Sequence, residues 1–216
     1  LVVSKTDEKT FTREITERPS SDLPEGEVLI RVHFSSLNYK DGLSCIGNPG
    51  VTRNYPHTPG IDASGKVTES SDSQFKTGDS VIVTSYDLGM NTDGGHSEFV
   101  NAPDTWIVKK PDNISLRELM IYGTAGLTSA LSVNELLNNG VTNGEVLVTG
   151  ATGGVGSISV AILSKLGFEV IALSGKENQI DYLKEIGAKE VILRKDFDIE
   201  NKKPMESANV TDSLIS

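Results

Sequence analysis

The chain has little of what cross-links a protein, ligates a metal or coats nucleic acid. A single cysteine, Cys45, among 216 residues excludes an internal disulfide and any zinc site built from several cysteines, and is expected to be incidental. The three histidines, His33, His57 and His96, show no metal-ligand spacing, and ordinary surface or turn roles are expected for them. No Lys/Arg-dense run offsets a net charge of −10. Such a surface repels nucleic acid and anionic membrane, so neither is an expected partner, and an anionic cofactor needs a small local basic pocket. No stretch approaches about 18 consecutive apolar residues, so no membrane span is expected. The start, Leu1-Val2-Val3-Ser4-Lys5, lacks a signal-peptide profile; a soluble cytoplasmic protein is the default, and the missing initiator Met points to a trimmed N-terminus. No internal repeat is visible.

What is abundant is glycine, 21 residues, with 37% hydrophobic residues. This is the composition of a turn-rich globular chain, long enough for one large or two modest domains. The first half reads as strands joined by turns. Within 27–34, Val28, Ile30, Val32 and Phe34 alternate with Leu29, Arg31 and His33, the period of a half-buried strand. Further strands are expected over 63–68, 80–84, 97–100 and 106–108, punctuated by Pro56, Pro59-Gly60, Gly78, Gly94-Gly95, Pro103 and Pro111. Short strands at this spacing suggest a barrel-like β domain.

The grammar changes near Ser115. Ser115-Leu116-Arg117-Glu118 is a capping box opening a helix, and a second helical stretch over 126–138 stops at Asn139-Gly140. Strands over 145–149, 169–173 and 190–193 then alternate with helices over 154–166 and 177–186. That is β-α-β-α-β, half of a doubly wound parallel sheet. Residues 201–216 are polar and unpatterned, and are not expected to supply further strands.

Between the first of these strands and its helix lies Val146-Leu-Val-Thr-Gly-Ala-Thr-Gly-Gly-Val-Gly156. Gly150, Gly153 and Gly156 are three residues apart, with Gly154 between the last two. Glycine here allows a tight turn, close approach of backbone to a pyrophosphate, and close helix–strand packing, while the helix start offers unpaired N–H groups. A glycine triplet alone is weak evidence; the strand–turn–helix setting makes a dinucleotide site the expected reading. The end of the second strand distinguishes NAD from NADP. About 24 residues after Gly150, where a ribose-binding acid would stand, the chain reads Ser174-Gly175-Lys176, with no acid before Glu177. A hydroxyl and an ammonium suit a 2′-phosphate, so NADPH is the expected cofactor. Arg194 is either a second cation near the adenosine end or plain surface charge.

Taken with Ser35-Ser-Leu-Asn-Tyr-Lys-Asp-Gly42, Pro59-Gly-Ile-Asp62, Gly94-Gly-His-Ser-Glu98 and Gly123-Thr-Ala-Gly126, this turn resembles the medium-chain dehydrogenase/reductase superfamily. The resemblance is to its zinc-free quinone-oxidoreductase branch of the YhdH/YhfP type, which includes NADPH-dependent acrylyl-CoA reductase. It runs to about Phe197 and implies a GroES-like β-barrel catalytic domain, here 1–117, followed by a Rossmann NADPH-binding domain, 118–216, of which only the first half is present. Zinc-dependent relatives place a cysteine where Asn38 stands and a His-Glu pair where Ile61-Asp62 stands, so both metal positions are lost. The resemblance implies Tyr39 beside the cofactor, Thr152, Gly153, Gly154 and Val155 around the pyrophosphate, and Ser174, Gly175 and Lys176 around the 2′-phosphate with Arg194 nearby. Lys176 stands where arginine is usual, which keeps charge and loses bidentate geometry. Asn38 and Asp62 join Tyr39 as candidates for the reacting centre. Thr124 and Thr128 either line the nicotinamide side or cap and pack their helix.

The expected function is an NADPH-dependent, zinc-independent reductase of an activated C=C, such as an acryloyl-CoA-like enoyl thioester, or of a quinone. Conjugate reduction suits a metal-free site because the negative charge is delocalised. The rival reading is a non-catalytic NADPH-binding sensor or scaffold, motivated by a sheet that stops halfway; about 110 further residues would restore a whole enzyme. An alcohol dehydrogenase is disfavoured by the lost metal positions, and a homodimer is compatible with the architecture.

Overall fold

In a computed structural model, which describes residues 1–7, 9–196 and the backbone of 214–215, the chain forms two compact units, Leu1–Thr124 and Ala125–Ser216. The first opens with an antiparallel hairpin of β1 (Val2–Lys5) and β2 (Phe11–Glu14), in which Val3 pairs with Arg13. Its main body is a five-stranded antiparallel sheet. The strands are β3 (Val28–Phe34), β4 (Asp62–Ser70), β5 (Ser80–Thr84), β6 (Phe99–Ala102) and β7 (Ile107–Lys109), in the order β6-β3-β4-β5-β7. The alternation read in β3 holds at its start, where Val28 and Ile30 are buried and Arg31 is exposed, and fails at its end, where Phe34 is exposed beyond the register shift after Val32. They join Val67, Val81, Val83, Leu88, Val100 and Ile107 in one apolar core. Burying each such side chain contributes about 1.5–3 kcal/mol. The β3–β4 register slips between Leu29 and Ile30 and again between Val32 and Phe34, the local irregularity that bends a sheet toward a barrel. A short helix, α1 (Tyr39–Cys45), leaves this sheet.

The second unit carries β8 (Glu145–Thr149), β9 (Glu169–Ser174) and β10 (Glu190–Leu193), parallel and adjacent, with helices α3 (Gly154–Lys165) and α4 (Ile180–Glu185) as crossovers. Here α2 denotes Leu116–Asn138, which is broken at Gly123 by a φ of 49° and a ψ of −152°. Val146, Val148, Val160, Leu163, Val170, Ala172 and Leu183 form the second core. Their near-continuous apolar runs are those of parallel strands buried on both faces.

Several features differ from the sequence reading, among them the strand expected over 97–100, which is Phe99–Ala102. The β1–β2 hairpin and α1 are additional elements; β2 is mostly exposed and α1 has only 7 residues, so neither imposes a clear period. The helix expected over 177–186 begins as a single 3₁₀ turn, Glu177–Gln179, before α4. Another concerns 201–216, where no strand was expected: Leu214–Ile215 forms β11, parallel to β8, and gives the order β10-β9-β8-β11. Two apolar residues are too few for a periodic signal. They pair with the edge of β8 opposite β9, Leu214 against Leu147 and Ile215 against Val148. The remainder of 201–216 lies outside the described residues.

His57, expected in a surface or turn role, is a core residue of the first unit. Its backbone bridges Val3 in both directions, at 2.8 and 2.9 Å, and its Nε2 sits 3.0 Å from the Gly89 carbonyl oxygen, which identifies it as the donor. Burial holds its pKa below the ordinary 6.5. A histidine kept neutral when folded binds fewer protons than in the unfolded chain once pH drops below that ordinary value. Its stabilising contribution is therefore present above pH 6.5 and declines as pH falls toward the lower folded pKa. Urea midpoints should fall between pH 7.5 and 5.5, and the fall should shrink in His57→Asn. An equal fall in the variant would locate the titrating group elsewhere.

Candidate functional site

The strand order of the second unit reverses beside β8, which places the carboxyl end of β8 at a topological switch point, where open α/β sheets bind ligands. The glycine turn starts there. Gly150 has a φ of 59°, a left-handed conformation suited to glycine, and its carbonyl accepts the Gly153 N–H at 2.8 Å. A Cβ on Gly156 would lie 2.4 Å from the Gly150 oxygen, so a side chain there would force the first turn of α3 off the loop. Gly153 is the N-cap of α3, with no side-chain cap and no acid in the first turn. Asn38 and Asp41 form a capping box on α1 and Ser115 and Glu118 one on α2; α4, like α3, has no side-chain cap, but its first turn carries Asp181. Gly153, Gly154 and Val155 are exposed and Thr152 is half-buried. This uncapped, exposed helix start with glycines in contact distance fits a pyrophosphate.

The neighbouring strand ends supply cations. Ser174 ends β9 and is buried; its Oγ accepts the Lys176 N–H at 3.0 Å, and its carbonyl accepts the Arg194 N–H at 2.8 Å. Ser174 therefore builds the turn that presents Gly175 and Lys176. The side chains of Lys176 and Arg194 make no hydrogen bond or ion pair among the described residues, whereas Lys195 Nζ is 2.9 Å from Glu177 Oε2.

In the first unit the organising group is Asp62, the first residue of β4, fully buried. Its carboxylate accepts the Thr124 N–H at 3.0 and 3.1 Å, the Thr124 hydroxyl at 2.7 Å and Asn38 Nδ2 at 2.8 Å. An ionised carboxylate is acceptor-only, so the Asn38 atom facing it must be the nitrogen, which fixes the orientation of that amide. With the Thr124 hydroxyl donated to Asp62, the hydroxyls of Thr84 and Ser85, 3.0 and 3.2 Å from Thr124 Oγ1, act as its donors. Gly123 is required beside this cluster, because a Cβ there would lie 2.5 Å from Asp62 Oδ2. Tyr39 opens α1 next to Asn38 and is 84% exposed, its ring free to meet a ligand.

Asn38, Asp62 and Thr124 are thus brought together, while Thr128 lies exposed on the helical stretch that follows. The sequence reading passed over Asp41. It is buried, accepts the Asn38 N–H at 2.7 Å and the Ile61 N–H at 3.1 Å, and lies 3.5 Å from His96 Nε2. That residue was legible as the acid three positions after an N-cap asparagine. Thr84 and Ser85 had no local signal, since only the β4–β5 register, with Asp62 opposite Thr84, brings them in. Burial pushes the Cys45 thiol upward in pKa, away from the reactive thiolate.

Residues 24–112 match the alcohol dehydrogenase GroES-like domain. The chain is 44% identical to the acrylyl-CoA reductase AcuI of Ruegeria pomeroyi over 211 residues, which cover 96% of this chain and 64% of that one. The solved structure of Escherichia coli YhdH with bound NADPH is 41% identical and aligns with a TM-score of 0.89, over 93% of this chain and 62% of that one. Bacillus subtilis YhfP, solved with NAD bound, is 47% identical with a TM-score of 0.86, over 91% and 61%. The chain spans 54% to 64% of the length of these curated relatives.

Asp62→Asn tests the buried centre. The swap is isosteric but sets an NH₂ donor against the Thr124 and Asn38 donors, and a buried mismatch of this kind costs about 1–3 kcal/mol. The urea midpoint should fall at unchanged m-value. An unchanged midpoint would mean that Asp62 does not serve as an ionised acceptor.

Proposed function

The chain belongs to the medium-chain dehydrogenase/reductase superfamily, with the quinone and acrylyl-CoA reductases of the YhdH/YhfP type, and from that premise we propose that it is part of an NADPH-dependent, zinc-independent reductase. Its substrate would be an activated C=C, as in an acryloyl-CoA-like enoyl thioester, or a quinone. The observation that carries this reading is the uncapped start of α3 at the switch point, with Lys176 and Arg194 on the adjoining strand ends.

Thr152, Gly153, Gly154, Val155 and Gly156 would hold the pyrophosphate through backbone N–H groups and the positive end of α3. Gly175, Lys176 and Arg194 would hold the 2′-phosphate on the turn that Ser174 builds. When bound, a nicotinamide supplies hydride to an electron-poor carbon. Asn38 would offer an Nδ2–H to the substrate oxygen on which negative charge develops; Asp62 holds that amide nitrogen in place at 2.8 Å. The Tyr39 hydroxyl would carry the proton that completes reduction, water being its substitute. Thr124 and Thr128, at the restart of α2, would line the nicotinamide side.

Residues 1–117 would be the catalytic part and 118–216 the cofactor-binding part, a boundary that precedes the one between the two compact units, after Thr124. Escherichia coli YhdH was solved with NADPH and Bacillus subtilis YhfP with NAD, so the cofactor preference proposed for this chain rests on its own strand ends.

The test is steady-state NADPH oxidation by the full-length protein with acryloyl-CoA and with simple quinones, alongside dissociation constants for NADPH and NADH. Turnover of one substrate class is expected, and Lys176→Ala should weaken NADPH by about tenfold with NADH little changed, the worth of one charge-assisted contact. Absence of turnover with tight NADPH binding would favour a sensor or scaffold. Equal losses for both dinucleotides would remove the 2′-phosphate assignment.

A further inference from the structure

We propose that the Lys195–Glu177 ion pair, at the carboxyl ends of β9 and β10, sets the preference between a 2′-phosphorylated and an unphosphorylated dinucleotide. The inference rests on the preceding reading of this end of the sheet as the adenosine-ribose site. It adds two residues that the Ser174-Gly175-Lys176 motif does not contain.

The register of the two parallel strands carries the argument. Leu193 pairs with Ser174, and the Arg194 N–H donates to the Ser174 carbonyl at 2.8 Å, so the chain leaves both strands side by side. One exit presents Lys176 and Glu177, and the other presents Arg194, Lys195 and Asp196. Lys195 Nζ reaches across to Glu177 Oε2 at 2.9 Å, with side-chain exposures of 62% and 71%.

This patch holds three cations and two carboxylates. With Lys195 in place the balance is positive and suits a 2′-phosphate, which carries about −1.5 to −2 at neutral pH. Without Lys195 the charges cancel, and Glu177 stands as an uncompensated acid a few residues beyond the position where NAD-binding folds place a ribose-binding carboxylate. Glu177 thus has two possible partners. Held by Lys195, it is neutralised and tolerates the phosphate; released, its oxygens can accept from ribose hydroxyls and repel the phosphate. An exposed pair of this kind is worth little by itself and opens readily, so a ligand can compete for either member.

Two probes that occupy only the adenosine end separate these roles: 2′,5′-ADP and 5′-AMP, titrated calorimetrically into the full-length protein. Lys195→Ala should weaken 2′,5′-ADP by about three- to tenfold and leave 5′-AMP within about twofold. Glu177→Gln should tighten 2′,5′-ADP by about two- to fivefold, and the double variant should lie near wild type, with all differences shrinking at high salt. Both side chains are exposed, and an unchanged Tm confirms that the variants fold. An unchanged 2′,5′-ADP to 5′-AMP ratio in both single variants, with a reduced ratio in Lys176→Ala, overturns this inference and leaves the NADPH reading intact. A wild-type protein that binds neither 2′,5′-ADP nor NADPH overturns that underlying reading itself.

Discussion

The buried carboxylate of Asp62 ties three separate parts of the first unit together. It lies at the start of β4, holds the Asn38 amide at the head of α1, and takes the N–H and hydroxyl of Thr124 where α2 resumes. An ionised group in a dry setting is tolerable only when surrounded by donors, and here they come from residues 24 and 62 positions away in sequence. The left-handed break at Gly123 follows from this arrangement, because any side chain there would collide with the carboxylate.

Helix starts give the second organising constraint. Each leaves N–H groups without intrahelical partners. In α1 and α2 these are met by Asn38, Asp41, Ser115 and Glu118, and Asp62 serves the restart at Thr124. Among the described residues, α4 also starts without a side-chain cap but carries Asp181 in its first turn, whereas α3 opens on a bare glycine loop with no acid nearby, at the point where the sheet order reverses. The contrast within one chain separates a structural helix start from one left open for an anion.

Electrostatics complete the division of labour. On a chain of net charge −10, an anionic ligand needs a locally positive patch, and Lys176, Arg194 and Lys195 gather on adjacent strand ends to make one. Glu177 and Asp196 sit among them, so these five side chains keep a small positive balance on a chain that is negative overall, and Glu177 is held by Lys195.

The sequence by itself determined the strand–turn–helix setting of Gly150–Gly156, the alternation of β3 and the buried runs of β8 and β9, because each rests on residues close together along the chain. It also contained the Asn38–Asp41 capping pattern. Tertiary structure alone decided that Thr84 and Ser85 join Asp62, since β4–β5 register has no local signature, and that Ser174 builds its turn from within while Lys195 reaches Glu177. It also decided that Leu214–Ile215 pairs with β8, because two residues carry no period of their own. Periodicity and capping are local and can be read; pairing across strands depends on which edges meet, and only the folded chain fixes that.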